Sequence, residues 1–343
     1  MLAARREASR VRVSLGLPAG TILTRQAPDG DGADVAWECR FATLDEQRAD
    51  LAARAASPEF EAVREQVGRL VERFERHLFR TDSSPASDGA AALEGLAIVP
   101  RRVSVAAGGR VLAGFLYLPP GDGRFPCMLT NHGSTIARGT ADLCRPGTAA
   151  LLMSWGIASL PVHRRGYGCS PGPTWRDDVP AAFGGDDYDA QLVGRLERES
   201  DDVLAALEFA ETVPEIDPAR IGVMGSSFGG TVTLLAAART DRFRCAVEFA
   251  GAAMNWERTP RLRQAMVAAA RRGTAPIFFL QAENDYSVAP TLELAAALEG
   301  SERVVESKVY PAFGISHDEG HFFERSGSLI WGADVRRFLR RWL

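Results

Sequence analysis

The chain has 343 residues, 46% hydrophobic and 24% charged, with Lys+Arg 40 against Asp+Glu 44 and a net charge of −4. That composition excludes a disordered or collagen-like chain and leaves material for one large α/β domain or about two ordinary ones. It also disfavours a nucleic-acid partner, which selects a basic excess. Among the cations only Lys308 is a lysine, a preference for arginine codons rather than a phosphate-binding device.

The opening residues, Met1-Leu-Ala-Ala-Arg-Arg-Glu7, carry charges where a secretory leader needs its apolar run. Thr21 to Gln26 reads as a short strand, and Pro28-Asp-Gly-Asp-Gly32 as a turn cluster. From Val35 to Phe41 apolar residues alternate with Ala36, Glu38 and Arg40, the period of a half-buried strand. Thr43-Leu-Asp-Glu46 opens a helix as a capping box, and Ser57-Pro58 opens a second. In that second helix Phe60, Val63, Val67, Leu70, Val71, Phe74 and Leu78 form one apolar stripe. A Ser/Pro/Asp/Gly/Ala stretch then interrupts the periodicity. The predicted organisation is a small α+β N-terminal domain over 1–80, a linker over 81–92, and a larger domain over 93–343.

Beyond the linker, Val103 to Ala106 and Val111 to Leu118 flank Gly108-Gly109 as a hairpin. Apolar runs then alternate with helical stretches: Cys127–Thr130, Ala158–Val162, Ile221–Met224, Cys245–Phe249, Ile277–Leu280 and Val304–Tyr310, with helices such as Asp201–Phe209 and Thr231–Ala238 between them. This rhythm predicts right-handed crossovers and a mostly parallel sheet with helices on both faces. Pro146 to Val162, the longest uncharged stretch, is short for a membrane span and reads as a buried helix followed by a buried strand. The chain closes on an amphipathic helix, Leu329–Trp342, whose four arginines read as a solvated face. Five cysteines, Cys39, Cys127, Cys144, Cys169 and Cys245, include no C-x-x-C pair. They read as reduced thiols, so the expected location is cytoplasmic, with no membrane partner.

The sharpest chemical signal is Gly225-Ser226-Ser227-Phe228-Gly229. A buried strand, Arg220 to Met224, precedes it and a helix opens at Gly230, the strand–turn–helix of a nucleophile elbow with Ser227 at its centre. A serine hydroxyl needs a base, and the base needs a carboxylate to orient it. Downstream, only His317 and His321 are available as base, and His321 in Glu319-Gly-His-Phe-Phe323 is preferred. Glu283 and Asp285 both lie in the loop after the strand Pro276–Leu280, and Asp285, deeper in that loop, is preferred as the acid. The two oxyanion donors are expected to be the backbone N–H of Phe228 and that of Ser134, in Asn131-His-Gly-Ser134. His132 is read as shaping that loop. Arg164 or Arg165, in His163-Arg-Arg-Gly-Tyr-Gly168, could bind a substrate carboxylate or tie loops together. Trp175, Trp256 and Phe322 are further candidate pocket walls, with core packing as the alternative.

Taken together, Asn131-His-Gly-Ser134, His163–Ser170, Asp217–Gly230, the Asp285 loop and Gly320-His321 resemble the α/β-hydrolase superfamily. Dienelactone-hydrolase-like and prolyl-oligopeptidase-like domains are the nearest in look, over about Arg101 to Leu343. The resemblance implies an α/β-hydrolase fold. Dienelactone hydrolases proper resemble a cysteine-nucleophile template, so lactone specificity does not carry over to Ser227. The N-terminal segment is too short for a prolyl-oligopeptidase propeller. The expected activity is cleavage of a small-molecule carboxylic ester through Ser227, His321 and Asp285, without metal or organic cofactor. Peptide, thioester or lactone cleavage and acyl transfer or cyclisation remain open, as does a binding module on a dead hydrolase fold. Residues 17–80 resemble the later half of the dimeric α+β-barrel proteins of the NIPSNAP-like group, which implies a homodimer through the N-terminal domain. An extension docked on the sheet edge or over the site mouth is the alternative.

Overall fold

The structure, a computed structural model, describes residues 1–24, 34–39, 41, 43–71, 93–134, 136–140 and 144–343. The expected linker over 81–92, the turn at 28–32 and the stripe residues Phe74 and Leu78 lie outside the described residues. The chain divides into two compact units, Met1–Thr81 and Asp82–Leu343.

The first unit begins with a helix, α1 (Leu2–Ser14), that apolar periodicity does not announce. Its Arg12 is fully buried and ion-paired with Asp50, so a position that scores as polar points inward. Strands β1 (Thr21–Thr24) and β2 (Val35–Glu38) pair antiparallel, with Ile22 opposite Trp37. Helix α2 (Leu44–Ala55) is capped by Thr43, whose Oγ1 accepts from the Glu46 N–H at 3.1 Å. Helix α3 (Pro58–Gly68) is capped by Ser57, which accepts from the Phe60 N–H at 3.1 Å.

In the second unit β3 (Arg101–Ala107) and β4 (Arg110–Leu116) form the expected hairpin. Strand β5 (Phe125–Asn131) leads to α4 (Pro146–Ser154) and β6 (Ala158–Pro161). The short α5 (Trp175–Asp178) and the 27-residue α6 (Asp186–Thr212) follow. Next come β7 (Ile216–Ser226), α7 (Phe228–Ala237), β8 (Ala246–Phe249), α8 (Pro260–Arg272) and β9 (Ile277–Ala282). The unit ends with α9 (Ala289–Ala296), β10 (Val305–Tyr310), two short helices α10 (His317–His321) and α11 (Phe323–Ser326), and α12 (Ser328–Trp342). Six strands pair in the order β10-β9-β8-β7-β5-β6, every pair parallel. Antiparallel bridges from Gly114 to Val162 and from Tyr117 to Ser159 bring β4 alongside β6.

The period-2 alternation of each strand feeds two core layers. Ile277, Phe279 and Val223 share one layer with Leu192, Leu207, Val232 and Met266 of α6, α7 and α8. Phe278, Leu280 and Met224 share the other with Leu152 of α4 and with Trp331, Val335 and Phe338 of α12. Both sheet faces are therefore covered, which is why the central strands read as continuous apolar runs. On the edge strand β10, Lys308 ion-pairs with Asp334 of α12 at 2.7 Å. Among the described residues no helix is long and apolar enough to cross a membrane.

Candidate active site

Strands β7, β9 and β10 lie in one parallel sheet, so the loops that leave their carboxyl ends meet at one edge. Ser227 stands between β7 and α7 with φ 58° and ψ −131°, a conformation that costs a non-glycine residue strain. The turn is possible because its neighbours lack side chains. A Cβ at Gly225 would collide with the backbone of Gly229, and one at Gly229 would collide with the carbonyl of Asn131. The Ser227 N–H donates to the Phe249 carbonyl at 2.9 Å, which fixes the elbow to β8.

His321 lies at the end of α10, 6% exposed, and Asp285 in the loop after β9, 4% exposed. His321 Nε2 is 3.0 Å from Ser227 Oγ, and its Nδ1 is 2.8 Å from Asp285 Oδ1. Asp285 also accepts from the Tyr286 N–H at 2.6 Å and from Gln281 Nε2 at 3.3 Å. The two alternatives stand elsewhere. His317 is exposed, with Nδ1 3.0 Å from the Asn284 carbonyl, and Glu283 is exposed. Gln281 was not singled out from the sequence. Its position on β9 reads as core, and only the fold shows its amide bridging Asp285, Ser287 and Thr291.

The Asn131–Ser134 loop lies against the elbow, where a Cβ on Gly133 would stand 3.3 Å from Ser227 Cβ. Ser134 follows on this loop, exposed, and Phe228 opens α7, whose first N–H groups have no intrahelical partner. His132 Nε2 accepts from the Arg164 N–H at 3.1 Å, leaving the ring proton on Nδ1, 2.6 Å from the Gly133 carbonyl. Burial, with the Arg164 guanidinium beside it, holds this imidazole well below the usual histidine range. A neutral, doubly bonded ring shapes the loop.

Two of the expected pocket walls are corrected. Arg164 is buried, its Nε on Glu199 at 2.7 Å and its Nη2 on the His132 carbonyl at 2.7 Å. Its charge is spent on tying loops rather than offered to a substrate. Trp256 is 1% exposed and belongs to the core layer with Met266 and Leu262. Trp175 is half-buried and stacks on Phe228, ring centroids 4.8 Å apart at 19°. Phe322 is partly exposed, 6.1 Å from the His321 ring. Among the described residues no group of three or more His, Cys, Asp or Glu side chains is arranged to hold a metal ion.

Comparison with known proteins agrees with this architecture. Residues 187–329 match the Dienelactone hydrolase family. A stretch of 130 residues is 28% identical to the Escherichia coli "Uncharacterized 31.7 kDa protein in traX-finO intergenic region", covering 38% of each chain. The chain thus spans well under half the length of the curated relative it matches. Among solved structures, Est1E from Butyrivibrio proteoclasticus with bound ferulic acid is similar at 18% identity and a TM-score of 0.52, over 70% of this chain and 98% of that one. The Pyrococcus horikoshii acylaminoacyl peptidase is similar at 17% identity and a TM-score of 0.54, over 80% of this chain and 45% of that one. At such identities the likeness is one of fold. The family match and the fold support an enzyme of the hydrolase class. The chain has the α/β-hydrolase fold, and its residues 187–329 are similar to the Dienelactone hydrolase family.

Proposed function

We propose that this chain is a serine hydrolase that cleaves carboxylic esters through an acyl-enzyme on Ser227. The observation that carries the reading is the buried relay in which His321 faces Ser227 Oγ at 3.0 Å and Asp285 at 2.8 Å. His321 Nε2 takes the hydroxyl proton as Oγ attacks the ester carbonyl, and returns it to the leaving alcohol. Asp285 holds the Nδ1–H tautomer and supports the imidazolium that forms. Negative charge on the carbonyl oxygen is met by the Phe228 N–H, at the positive end of α7, and by the Ser134 N–H. Water activated by His321 then releases the acid.

The test combines p-nitrophenyl esters of graded chain length and aminoacyl anilides with labelling by a fluorophosphonate probe. Ser227→Ala and His321→Ala are each expected to lose about a thousandfold or more in turnover, and His317→Ala to stay near the parent. Turnover by Ser227→Ala together with an inactive Ser226→Ala would overturn the assignment of the nucleophile. Faster cleavage of anilides than of esters would favour a peptidase.

A further inference from the structure

The loop that carries His321 is held by three consecutive residues of the loop after β9. Asn284 Nδ2 donates to the carbonyls of Phe313 at 3.0 Å and Ser316 at 2.8 Å, and its Oδ1 accepts from the Phe313 N–H at 2.8 Å. Asp285 faces His321. Tyr286 donates its hydroxyl proton to Asp318 Oδ1, in the first turn of α10. The backbone N–H of Tyr286 meets Asp285 Oδ1, the same oxygen that faces His321. The Tyr286 ring stands edge-on to the His321 ring, centroids 5.6 Å apart at 77°. Tyr286 is 40% exposed, so its ring is an outer layer over the buried Asp285–His321 pair.

Helix α10 has five residues. A helix that short is not stable through its own hydrogen bonds and takes its position from what holds it. We propose that the Tyr286–Asp318 hydrogen bond is a clasp that fixes α10 so that His321 stays in register with both Ser227 and Asp285. Tyr286 and Asp318 are thereby positioning residues of the site. The inference rests on the reading of His321 as the base. The clasp matters because a base displaced by about 1 Å can cost on the order of a hundredfold in rate.

Tyr286→Phe removes the hydroxyl and keeps the ring, and Asp318→Ala removes the acceptor. Each is expected to lower the maximal rate of fluorophosphonate labelling and the kcat on p-nitrophenyl acetate about tenfold, the scale of one hydrogen bond to a charged group. The half-saturating probe concentration and KM stay near the parent. Asp318→Asn, whose neutral amide oxygen still accepts though more weakly, recovers part of the loss and is clearly faster than Asp318→Ala. The double variant Tyr286→Phe/Asp318→Ala is no slower than either single one, since both remove the same bond. Both positions are exposed, and thermal melts check that the variants fold. Parent rates in Tyr286→Phe, losses that multiply in the double variant, or an Asp318→Asn as slow as Asp318→Ala would each overturn the clasp. Ser227→Ala and His321→Ala run alongside. If His321→Ala keeps its rate, the base assignment has failed. If it is dead while Tyr286→Phe matches the parent, only the clasp has.

Discussion

Glu248 on β8 is fully buried, and among the described residues it forms no ion pair. Its Oε1 accepts from the Gly251 N–H, its Oε2 has no partner, and burial pushes the carboxyl up to about 8, with the Asp285 charge acting in the same direction. An unfolded chain ionises this group from about pH 4.3 upward, whereas the folded chain keeps the proton to about 8. The folded state therefore binds more protons across that window, and stability contributed by the group falls as pH rises through it. Glu248→Gln keeps the acceptor for Gly251 and removes the titration. Its melting temperature is expected to exceed the parent's by several degrees at pH 8, with the gap shrinking toward pH 5. Melts across that range check it, and an equal gap at both ends would contradict the account. Single residues were legible in the sequence where chemistry dictates local spacing. Ser227 stands out because a sharp elbow needs Gly225 and Gly229, and Asp285 and His321 because they follow consecutive strands in chain order. Glu248 and Gln281, polar residues inside apolar strands, and Tyr286, in the loop after β9, were not, because each declares its role only through its partners in the fold.

Helix α6 makes the same point for a whole element. Apolar periodicity announced Asp201–Phe209, yet the helix starts at Asp186. Its missing turns carry Asp189, Arg195 and Glu199, charged residues that face inward. Asp189 accepts from the backbone N–H groups of Arg261 and Leu262, in the first turn of α8. Arg195 joins Glu199 at 2.6 Å, Asp178 at 2.7 Å and the Pro173 carbonyl at 2.9 Å, and also reaches the Arg165 carbonyl. Asp202 holds Arg165 at 2.7 Å. One helix thus anchors the turn after β6 and the segment bearing Trp175. Arg195→Met strips a buried partner from Glu199 and is expected to cost about 3–5 kcal/mol in urea unfolding. Arg198→Met, at the exposed partner of Asp178, is expected to cost no more than about 1 kcal/mol. Similar losses in the two variants would show that burial of the network is not what stabilises the segment. The strands behaved differently. Each observed strand of the six-stranded sheet covers most of its predicted run, because burial on both faces leaves an unbroken apolar signature.

Across the molecule, the chemistry and the remainder divide cleanly. Every residue of the proposed relay belongs to the second unit, and Met1–Thr81 contributes none. We propose that this first unit serves self-association. Its described elements are three helices and one two-stranded ribbon, a small core that gains from a partner surface. Removing residues 1–90 is then expected to turn a dimer of the 37.0 kDa chain into a monomer of the shortened chain by light scattering, while ester turnover persists. A monomeric full-length chain would end that proposal, and an altered ester profile in the shortened chain would point instead to a role at the site.

The arginine-rich composition has a practical side. Lys308 is the lone lysine, on edge strand β10 and about half exposed beside Asp334. Amine-directed coupling can therefore reach one side chain besides the α-amine. A dye or surface linker attached there gives nearly uniform conjugates, joined through the sheet margin and away from the elbow three strands across.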